Sequence, residues 1–283
     1  MMTISMTQKM TTNLFDFAWC GNSYTTSWDQ HIQNLATLVR PEDWGPQNQV
    51  LKNYISYTFE NLAIAVNHGR VTAETYLPTT SYGMCCCFNT GLFTQYDEPI
   101  YAYFKRNELE AVQAWYLKGF KTANASELLS FEALPQRMNY LTDPADFILD
   151  TQLPWRMNLQ HILGDEKNIG QLPRILQQTT DREIVLQLFN GALQSTKKRL
   201  TANYNLAVPN SFHGQIQLLV PIWFGQKAAP DLVLALSREN GCYVGRTCLT
   251  PAMAYRSARL IAAPTVPWML AIKESKSFST SCQ

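Results

Sequence analysis

The feature that most constrains the fold is a series of three apolar strands near the C-terminus. The runs QIQLLVPIWF (215–224), DLVLALSREN (231–240) and CYVGRTCLT (242–250) have strand length and strand composition. Asn240-Gly241 joins the second run to the third, and this dipeptide tolerates positive φ at both central positions of a tight hairpin. The run PAMAYRSARLI (251–261) then has the pattern of a helix. The sequence therefore predicts a β-β-β-α unit on which the other elements pack.

Apolar periodicity predicts the remaining elements. Helical spacing predicts helices over 28–39, 47–67, 124–131 (with Asn124 as its cap) and 181–202, the last with Gly191 placed for close packing. Alternating and β-rich runs predict strands over 71–77, 84–90, 99–107 and 111–120, the last two joined through 108–110. We expect an α+β fold whose mixed, mainly antiparallel central sheet has about six to eight strands, with flanking helices.

The chain of 283 residues contains no linker-like break and no internal repeat. We expect a single α+β domain over 14–270, a disordered leader over 1–13 and a flexible tail over 271–283. No apolar run approaches the roughly 20 residues that cross a bilayer, and the N-terminus lacks the apolar segment of a signal peptide. A cytoplasmic protein without membrane contact is the expectation, and the oligomeric state is left open.

The chain has seven cysteines, of which Cys85, Cys86 and Cys87 are adjacent. An odd number of cysteines without a signal peptide favours free thiols in a reducing compartment. The adjacent cysteines lack the C-x-x-C spacing of a zinc site, and in a strand Cys86 would point away from the other two. They are interpreted as buried small side chains or, alternatively, as reactive or metal-binding thiols. We expect no cofactor and no metal.

Charge is distributed unevenly along the chain. Residues 194–283 contain ten Lys or Arg and three Asp or Glu, a net charge of +7, whereas residues 1–193 carry a net charge of −6. Such asymmetry indicates a polyanionic partner for the C-terminal third. Solvated charges without a common face are the alternative.

Known catalytic motifs are absent from the sequence: it has no P-loop, no G-x-G-x-x-G, no G-x-S-x-G and no H-E-x-x-H. Of the four histidines, His161 lies in a polar segment beside Asp165. An imidazole there can act as a general acid or base near neutral pH, oriented by Asp150 or Asp165, in a pocket that also contains Asn203, Tyr204 and Arg259. A histidine that serves packing is the alternative.

Polar residues in three further places are candidates for ligand binding. Asn203, Tyr204 and Asn210 flank the entry to the strand at 215–224, where amides can recognise bases and the alternative is turn chemistry around Pro209. Asn89 ends the cysteine-rich strand in either a hairpin turn or a ligand loop. On the last helix, Arg259 shares a face with Tyr255, and together with Arg256 it can bind phosphate.

The order of short motifs resembles an uncharacterised bacterial family of domains of unknown function, whose members are often fused to cold-shock or other RNA-associated domains. The motifs are LFDFAW (14–19), LKNYISYTF (51–59), FNTGL (88–92), IYAYF (100–104), HIL (161–163), NY…AVP (203–209), IQLLVPI (216–222) and LTPAMAYRSARLI (249–261). The resemblance implies RNA or a nucleotide as partner.

Two positions depart from the family pattern. The family's Asn-x-x-Arg-Phe-Pro-like run reads KNIGQLP (167–173) here, so its Arg is missing or displaced to Arg174, and its Asn-Tyr-Lys reads Asn203-Tyr204-Asn205. Both changes weaken phosphate contact. The favoured hypothesis is an RNA- or nucleotide-binding protein; the alternatives are an enzyme that uses His161 for acid–base chemistry and a scaffold for protein partners.

Overall fold

The computed structural model describes residues 9–21, 26–108, 113–141, 143–164, 170, 172–261, 263 and 265–271. The chain divides into two compact units, Met1–Asn139 and Tyr140–Gln283. The predicted α+β class is confirmed, because each unit combines helices with a mixed sheet. The strands form one sheet of four and one of five rather than a single central sheet. The expected single domain over 14–270 stays a prediction.

The first unit contains four helices and four strands among its described residues. The helices are α1 (Leu14–Phe17), α2 (Trp28–Leu38), α3 (Gln49–Asn67) and α4 (Ala73–Tyr76), and the strands are β1 (Ala18–Trp19), β2 (Cys85–Phe93), β3 (Pro99–Arg106) and β4 (Trp115–Thr122). The sheet order is β1-β4-β3-β2, with β2, β3 and β4 antiparallel and β1 added in parallel at one edge.

Each face of the first sheet is covered by a different part of the unit. On one face, Phe88 packs against Phe59 of α3 and against Phe104, with ring centroids 5.9 and 5.8 Å apart. The other face, which we call the tyrosine face, carries Cys87, Tyr101 and Tyr103 and packs against Leu128 and Phe131. Apolar alternation along the strands therefore places a core on both sides of the sheet.

The second unit contains four helices and five strands among its described residues. The helices are α5 (Leu159–Gly164), α6 (Arg174–Gln177), α7 (Arg182–Ala202) and α8 (Pro251–Ala258), and the strands are β5 (Trp155–Met157), β6 (Val208–Phe212), β7 (Gln215–Ile222), β8 (Leu232–Glu239) and β9 (Cys242–Leu249). The sheet order is β5-β9-β8-β7-β6; β5 is parallel to β9 and the other pairs are antiparallel.

The two faces of the second sheet differ in what covers them. The core face carries Leu218, Val220 and Leu234, which pack with Phe189 of α7 and Ile162 of α5. The α8 face carries the alternate residues, such as Leu219, Val233 and Ala235, which are also buried. Helix α8 contacts β6, β7, β8 and β9, and its buried side chains lie outside the core-face cluster, so α8 covers this second face.

The predicted C-terminal unit is confirmed in detail. The strands 215–222, 232–239 and 242–249 precede the helix Pro251–Ala258. Asn240 and Gly241 have φ of 47° and 75°, the mirror-image turn whose twist suits a hairpin. Thr250 caps α8 by accepting a hydrogen bond from the Met253 amide.

The long helix of the second unit also agrees with its sequence pattern, with one exception. Asp181 caps α7, accepting from the Glu183 and Ile184 amides, and Phe189, Ala192 and Leu193 are buried. Gly191 was expected to permit close packing, which is wrong: among the described residues, no neighbouring atom lies within 4 Å of the position that a Cβ would take. Gly191 faces solvent instead.

Two predicted elements are wrong because local turn chemistry prevails over periodicity. Residues 71–77 form helix α4 (Ala73–Tyr76) rather than a strand. Residues 124–131 contain only the 3₁₀ turn Ser126–Leu128, and Asn124, the predicted cap, donates its side-chain amide to Glu98. The predicted hairpin through 108–110 falls partly outside the described residues, although both of its strands are present.

The predicted leader and tail lie largely outside the described residues, which include only 9–13 and 271 of them. Within the leader, Met10 exchanges two hydrogen bonds with the Asn67 side chain, at 2.8 and 2.7 Å. Asn13 caps α1. The part of the expected leader that is described is therefore bound to the first unit.

Candidate functional site

A row of polar side chains crosses the α8 face of the second sheet. Asn210 in β6 pairs with Gln217 in β7, and Gln217 pairs with Ser237 in β8. Side chains directly opposite in an antiparallel pair lie on the same face, about 5 Å apart at Cβ. The Gln217 Nε2 donates to Ser237 Oγ at 3.0 Å. This polar row, Asn210 to Ser237, lies on the same face as the buried residues Leu219, Val233 and Ala235.

Asn210 is the most deeply buried member of the polar row. Its relative exposure is 3%, and no group among the described residues donates a hydrogen bond to its Oδ1. A buried carbonyl oxygen is nearly always paired in folded proteins, because desolvation without a donor costs about 1–3 kcal/mol. Gln217, which lies opposite Asn210, donates its side-chain amide to Ser237 and makes no hydrogen bond to Asn210 Oδ1. Asn210 Oδ1 is thus a buried acceptor for which the described chain supplies no donor.

An exposed aromatic ring lies beside the polar row. Phe212 follows Asn210 by two residues in β6, so both side chains are on the α8 face, and Phe212 is 53% exposed. The turn that follows, His213-Gly214, has φ of 48° and 73°, and the His213 ring contacts the Phe212 ring at a centroid distance of 4.1 Å. Burial therefore decreases along β6 from Asn210 to an accessible aromatic surface at Phe212.

Helix α8 brings basic residues to the same edge of the sheet. It starts directly after β9, it is about 12 Å long, and the strands are about 4.8 Å apart, so a helix that also contacts β6 must cross the whole face. Its C-terminal end, with Arg256 and Arg259, consequently lies toward β6. Trp268, beyond α8, donates its indole N–H to the Leu206 carbonyl just before β6 and supports this placement.

The basic residues of the C-terminal third lie on both sides of the second sheet. Lys197 and Arg199 belong to α7 on the core face, where their charged groups lie over the rings of Trp155 and Trp223 at 4.9 and 4.5 Å. Arg256 belongs to α8 on the opposite face, and Arg259 directly follows that helix. Cation–π contact gives Lys197 and Arg199 a structural role, whereas Arg256 and Arg259 lie on the side of the sheet that carries the polar row.

The residues predicted for acid–base catalysis do not come together. His161 lies exposed on α5, which packs on the core face, and its backbone N–H donates to Asn158 Oδ1 at 3.1 Å. Arg259 directly follows α8, which covers the other face, so the elements that carry the two residues lie on opposite faces of the sheet. Asp165 lies outside the described residues. The geometry therefore does not favour a pocket that contains His161 and Arg259.

The other predicted polar residues of the second unit serve turns or the surface. The Asn203 side chain accepts from the Asn205 amide at 3.1 Å and caps the 3₁₀ turn Tyr204–Leu206. Tyr204 is 53% exposed within that turn. Arg174 is exposed at the first position of α6. Turn chemistry accounts for Asn203, whereas Asn210, predicted with it, belongs to strand β6 and to the polar row.

Asn89 lies in the first unit and has a structural role there. The strand does not end at this residue but continues to Phe93 through an irregularity in register. Asn89 Oδ1 accepts from the Gly91 amide at 2.9 Å, and its Nδ2 donates to the Pro135 carbonyl at 3.3 Å. Gly91 has φ of 76°, a conformation for which glycine is suited. Asn89 therefore lies within strand β2 rather than in a turn or loop at the end of the strand, and its role in ligand binding stays a prediction.

The adjacent cysteines agree with an interpretation as small side chains within a sheet. Cys86 and Cys87 are buried, and burial raises the pKa of Cys87 to about 12 and that of Cys86 well above its ordinary value. Cys85 is half-buried, and its thiol contacts the Tyr103 hydroxyl at 3.1 Å. In the part of the chain that the structure describes, no three His, Cys, Asp or Glu side chains are placed to hold a metal ion.

Apart from the polar row, the second unit has a concave surface on its core-face side. It is a groove of about 670 Å³ between α5, α6 and the start of α7, and its apolar lining includes Leu163, Leu172 and Leu176. The volume suits a small ligand. Residues 165–169 and 171 connect its lining segments and are outside the described chain, so the lining is incomplete.

Across the described helices, none is both long and apolar enough to span a membrane.

Three residues of the site were missed from the sequence: Phe212, Gln217 and Ser237. Phe212 carried a usable signal, because it follows Asn210 at the two-residue spacing that places strand residues on one face. Gln217 and Ser237 carried none, since which residues face each other across strands depends on register.

Comparison with known proteins gives one match. A family model described as "Domain of unknown function (DUF3825)" matches residues 35–268. No curated protein and no solved structure matches the chain. The matched region includes every strand of both sheets except β1, and the polar row with it.

Proposed function

We propose that this chain, which belongs to the DUF3825 family of domains of unknown function, binds single-stranded RNA or a nucleotide on the α8 face of its second sheet. The observation that carries the proposal is the polar row from Asn210 to Ser237, lying beside the exposed ring of Phe212. Asparagine and glutamine amides offer donors and acceptors that match the edges of bases. Exposed aromatic rings on a sheet stack unpaired bases, as in several RNA-binding folds.

Electrostatics supports an anionic ligand for this part of the chain. The described residues between 194 and 271 include eight Lys or Arg and two Asp or Glu, a net charge of +6. Both acids are paired: Asp231 with Lys227 at 2.7 Å and Glu239 with Arg246 at 2.8 Å. Arg256 lies on α8, the helix that covers this face, and Arg259 directly follows it. Their guanidinium groups suit bidentate contact with phosphate.

Two weaker arguments point in the same direction. The six described cysteines are free, which suits the reducing cytoplasmic compartment that the proposal implies. The resemblance to proteins fused with RNA-associated domains is an association rather than a physical argument. The enzyme hypothesis has no comparable geometric support, because the sheet separates His161 from Arg259. A scaffold for protein partners stays a prediction.

Fluorescence anisotropy with a labelled single-stranded RNA of about 12 nucleotides tests the proposal, since sites of this kind cover about 4–16 nucleotides. We expect binding at about 50 mM salt that weakens steeply by about 200 mM, because phosphate contacts release counterions. Arg256→Ala should lower affinity and reduce the slope of log K against log salt by about 0.7.

Arg106→Ala is the matched control, since it removes an exposed arginine from the first unit. Its affinity should equal that of the wild type. Absence of binding at low salt, binding that is insensitive to salt, or equal losses in the two variants would contradict the proposal.

A further inference from the structure

The groove between α5, α6 and the start of α7 offers a ligand both space and access from solvent. Its volume of about 670 Å³ lies within the range of small-molecule pockets. Leu172 and Leu176 in its lining are buried, whereas Gln160, Arg182 and Leu186 are exposed, so the groove extends from the core to the surface. All of these lining residues belong to the described chain.

The apolar part of the lining consists of branched aliphatic side chains. They come from all three helices and from the segment before α6: Leu159, Leu163, Leu172, Leu176, Val185 and Leu186. Among the described lining residues, none is aromatic. A flat ring gains most from contact with another ring, whereas a flexible aliphatic chain needs only close apolar packing. The lining therefore suits an aliphatic chain better than a nucleobase.

Arg182 is the one charged side chain among the described lining residues. It lies exposed at the first position of α7, where the helix dipole also favours an anion. The neighbouring Asp181 carboxylate is used as the helix cap, accepting from the Glu183 and Ile184 amides at 2.8 and 3.5 Å. No carboxylate of the described chain forms an ion pair with Arg182. Its guanidinium group can therefore meet an anionic head group at the edge of the groove.

Two polar residues of the lining already have partners within the chain. Gln177 Nε2 donates to the Leu172 carbonyl and Thr179 Oγ1 donates to the Ile175 carbonyl, both at 2.6 Å. An aliphatic chain in the groove would consequently not strip either group of its hydrogen bond, which is the main cost of covering polar groups with apolar ones.

We propose that the groove binds an amphipathic anion of the fatty-acid class, with its aliphatic chain against the leucines and its carboxylate on Arg182. A guanidinium group suits bidentate contact with a carboxylate, and each methylene that leaves water adds about fourfold in affinity. The groove lies on the core-face side of the second sheet, whereas the proposed RNA surface is the α8 face. The inference therefore goes beyond RNA binding and does not rest on it.

Isothermal titration calorimetry of the full chain with decanoate, below its micelle concentration, tests the proposal. Octanoate, which has two methylene groups fewer, should bind about tenfold more weakly. Decanol, which has the same chain without the charge, should bind about fivefold more weakly, the effect of one exposed ion pair.

Arg182→Ala should lower the affinity for decanoate by about fivefold and leave the affinity for decanol unchanged. The matched control is Arg238→Ala, which removes an exposed arginine of the same unit that does not line the groove. Its affinity for both probes should equal that of the wild type.

Leu186→Glu places a carboxylate in the apolar lining and should weaken decanoate binding by more than about tenfold. Ile184→Glu is its matched control, because Ile184 is an exposed aliphatic residue of the same helix that does not line the groove. It should bind decanoate as the wild type does. Leu186 and Ile184 are 36% and 46% exposed, so both variants keep the fold.

Four results would each overturn the proposal: no binding of decanoate, binding of decanol as tight as that of decanoate, an unchanged affinity for decanoate in Arg182→Ala, or equal affinities in Leu186→Glu and Ile184→Glu. Equal binding of decanol would mean that the groove takes a neutral apolar ligand. None of these results bears on RNA binding, which is measured with a different probe and on the other face of the sheet.

Discussion

The two sheets each carry a polar row that begins at an asparagine and crosses three antiparallel strands. In the first sheet the row runs from Asn89 through Tyr101 to Lys121 on the tyrosine face, and in the second it runs from Asn210 to Ser237 on the α8 face. In both rows each side chain lies directly opposite the next, and the two rows differ in what the rest of each unit places over them.

In the first unit, other residues of the chain bond the two end members of the row, Asn89 and Lys121. Asn89 is bonded to the Gly91 amide and the Pro135 carbonyl, and Lys121 is paired with Glu127. The segment that supplies Glu127 and Pro135 also packs Leu128 and Phe131 onto the tyrosine face. The polar side chains of this row therefore hold the segment in place.

In the second unit the covering buries the end of the row without satisfying it. Helix α8 buries Asn210 without giving its Oδ1 a donor within the described chain, and Phe212 beyond it is exposed. The comparison teaches that an asparagine on a sheet face is structural when the chain satisfies it and is a candidate for ligand binding when the chain leaves it unsatisfied.

The largest effect is expected from Asn89→Ala in the first sheet. The substitution leaves the Gly91 amide and the Pro135 carbonyl without their partner, and should lower the free energy of unfolding by about 1–3 kcal/mol. Urea titration followed by circular dichroism measures the change.

Asn34→Ala, on the exposed face of α2, is the matched control and should change stability by less than about 0.5 kcal/mol. If Asn89→Ala lowered the free energy of unfolding by no more than Asn34→Ala, Asn89 would not have the structural role that distinguishes the first polar row from the second.

A smaller effect of opposite sign is expected from Gly191→Ala in α7. The position is exposed within a helix and a Cβ meets no described neighbour, so stability should rise by about 1 kcal/mol through helix propensity. The affinity for RNA should not change, because α7 lies on the core face. A change in RNA affinity in Gly191→Ala would contradict this distinction between the faces.

The smallest effect concerns the Lys121–Glu127 pair. The hydrogen bond from Lys121 lowers the pKa of Glu127 from 4.5 to about 2, so the folded state favours the carboxylate. The stability that this contributes is present above pH 4.5 and is lost as the pH falls toward 2. Since both side chains are about one-third exposed, the contribution should stay below about 1 kcal/mol.

Urea titrations of wild type and Glu127→Gln across this range measure the contribution. The wild type should be more stable at pH 6, and the difference between the two proteins should shrink on acidification. A difference that is independent of pH would mean that Glu127 does not titrate with a lowered pKa.

Much of the secondary structure could be predicted because its causes are local. The Asn240-Gly241 turn, the Asp181 cap and the apolar periodicity of α3 and α7 each depend on residues a few positions apart. The prediction of a strand over 71–77 is wrong, because the four residues after Thr72 form a single helical turn. A segment this short has too few residues for apolar periodicity to distinguish a helix from a strand. Gly191 was misinterpreted because close packing depends on a neighbouring element that the sequence does not locate.

The candidate site was predictable only in part. Asn210, Arg256 and Arg259 were identified by residue type, but so were His161, Asn89 and Asn203, which the structure places elsewhere or uses in turns. Residue type states what a side chain can donate or accept. It does not state which donors and acceptors the fold has already used.

The sequence by itself determined the α+β class, the hairpin at Asn240-Gly241 and the positive charge of the C-terminal third. These follow from composition and from interactions between near neighbours in the chain. Only the tertiary structure decided that the strands form two sheets, that the basic residues divide between two faces of the second sheet, and that Asn210 is buried without a donor. The physical reason is that burial and hydrogen-bond satisfaction depend on strand register and helix packing, which join residues distant in sequence.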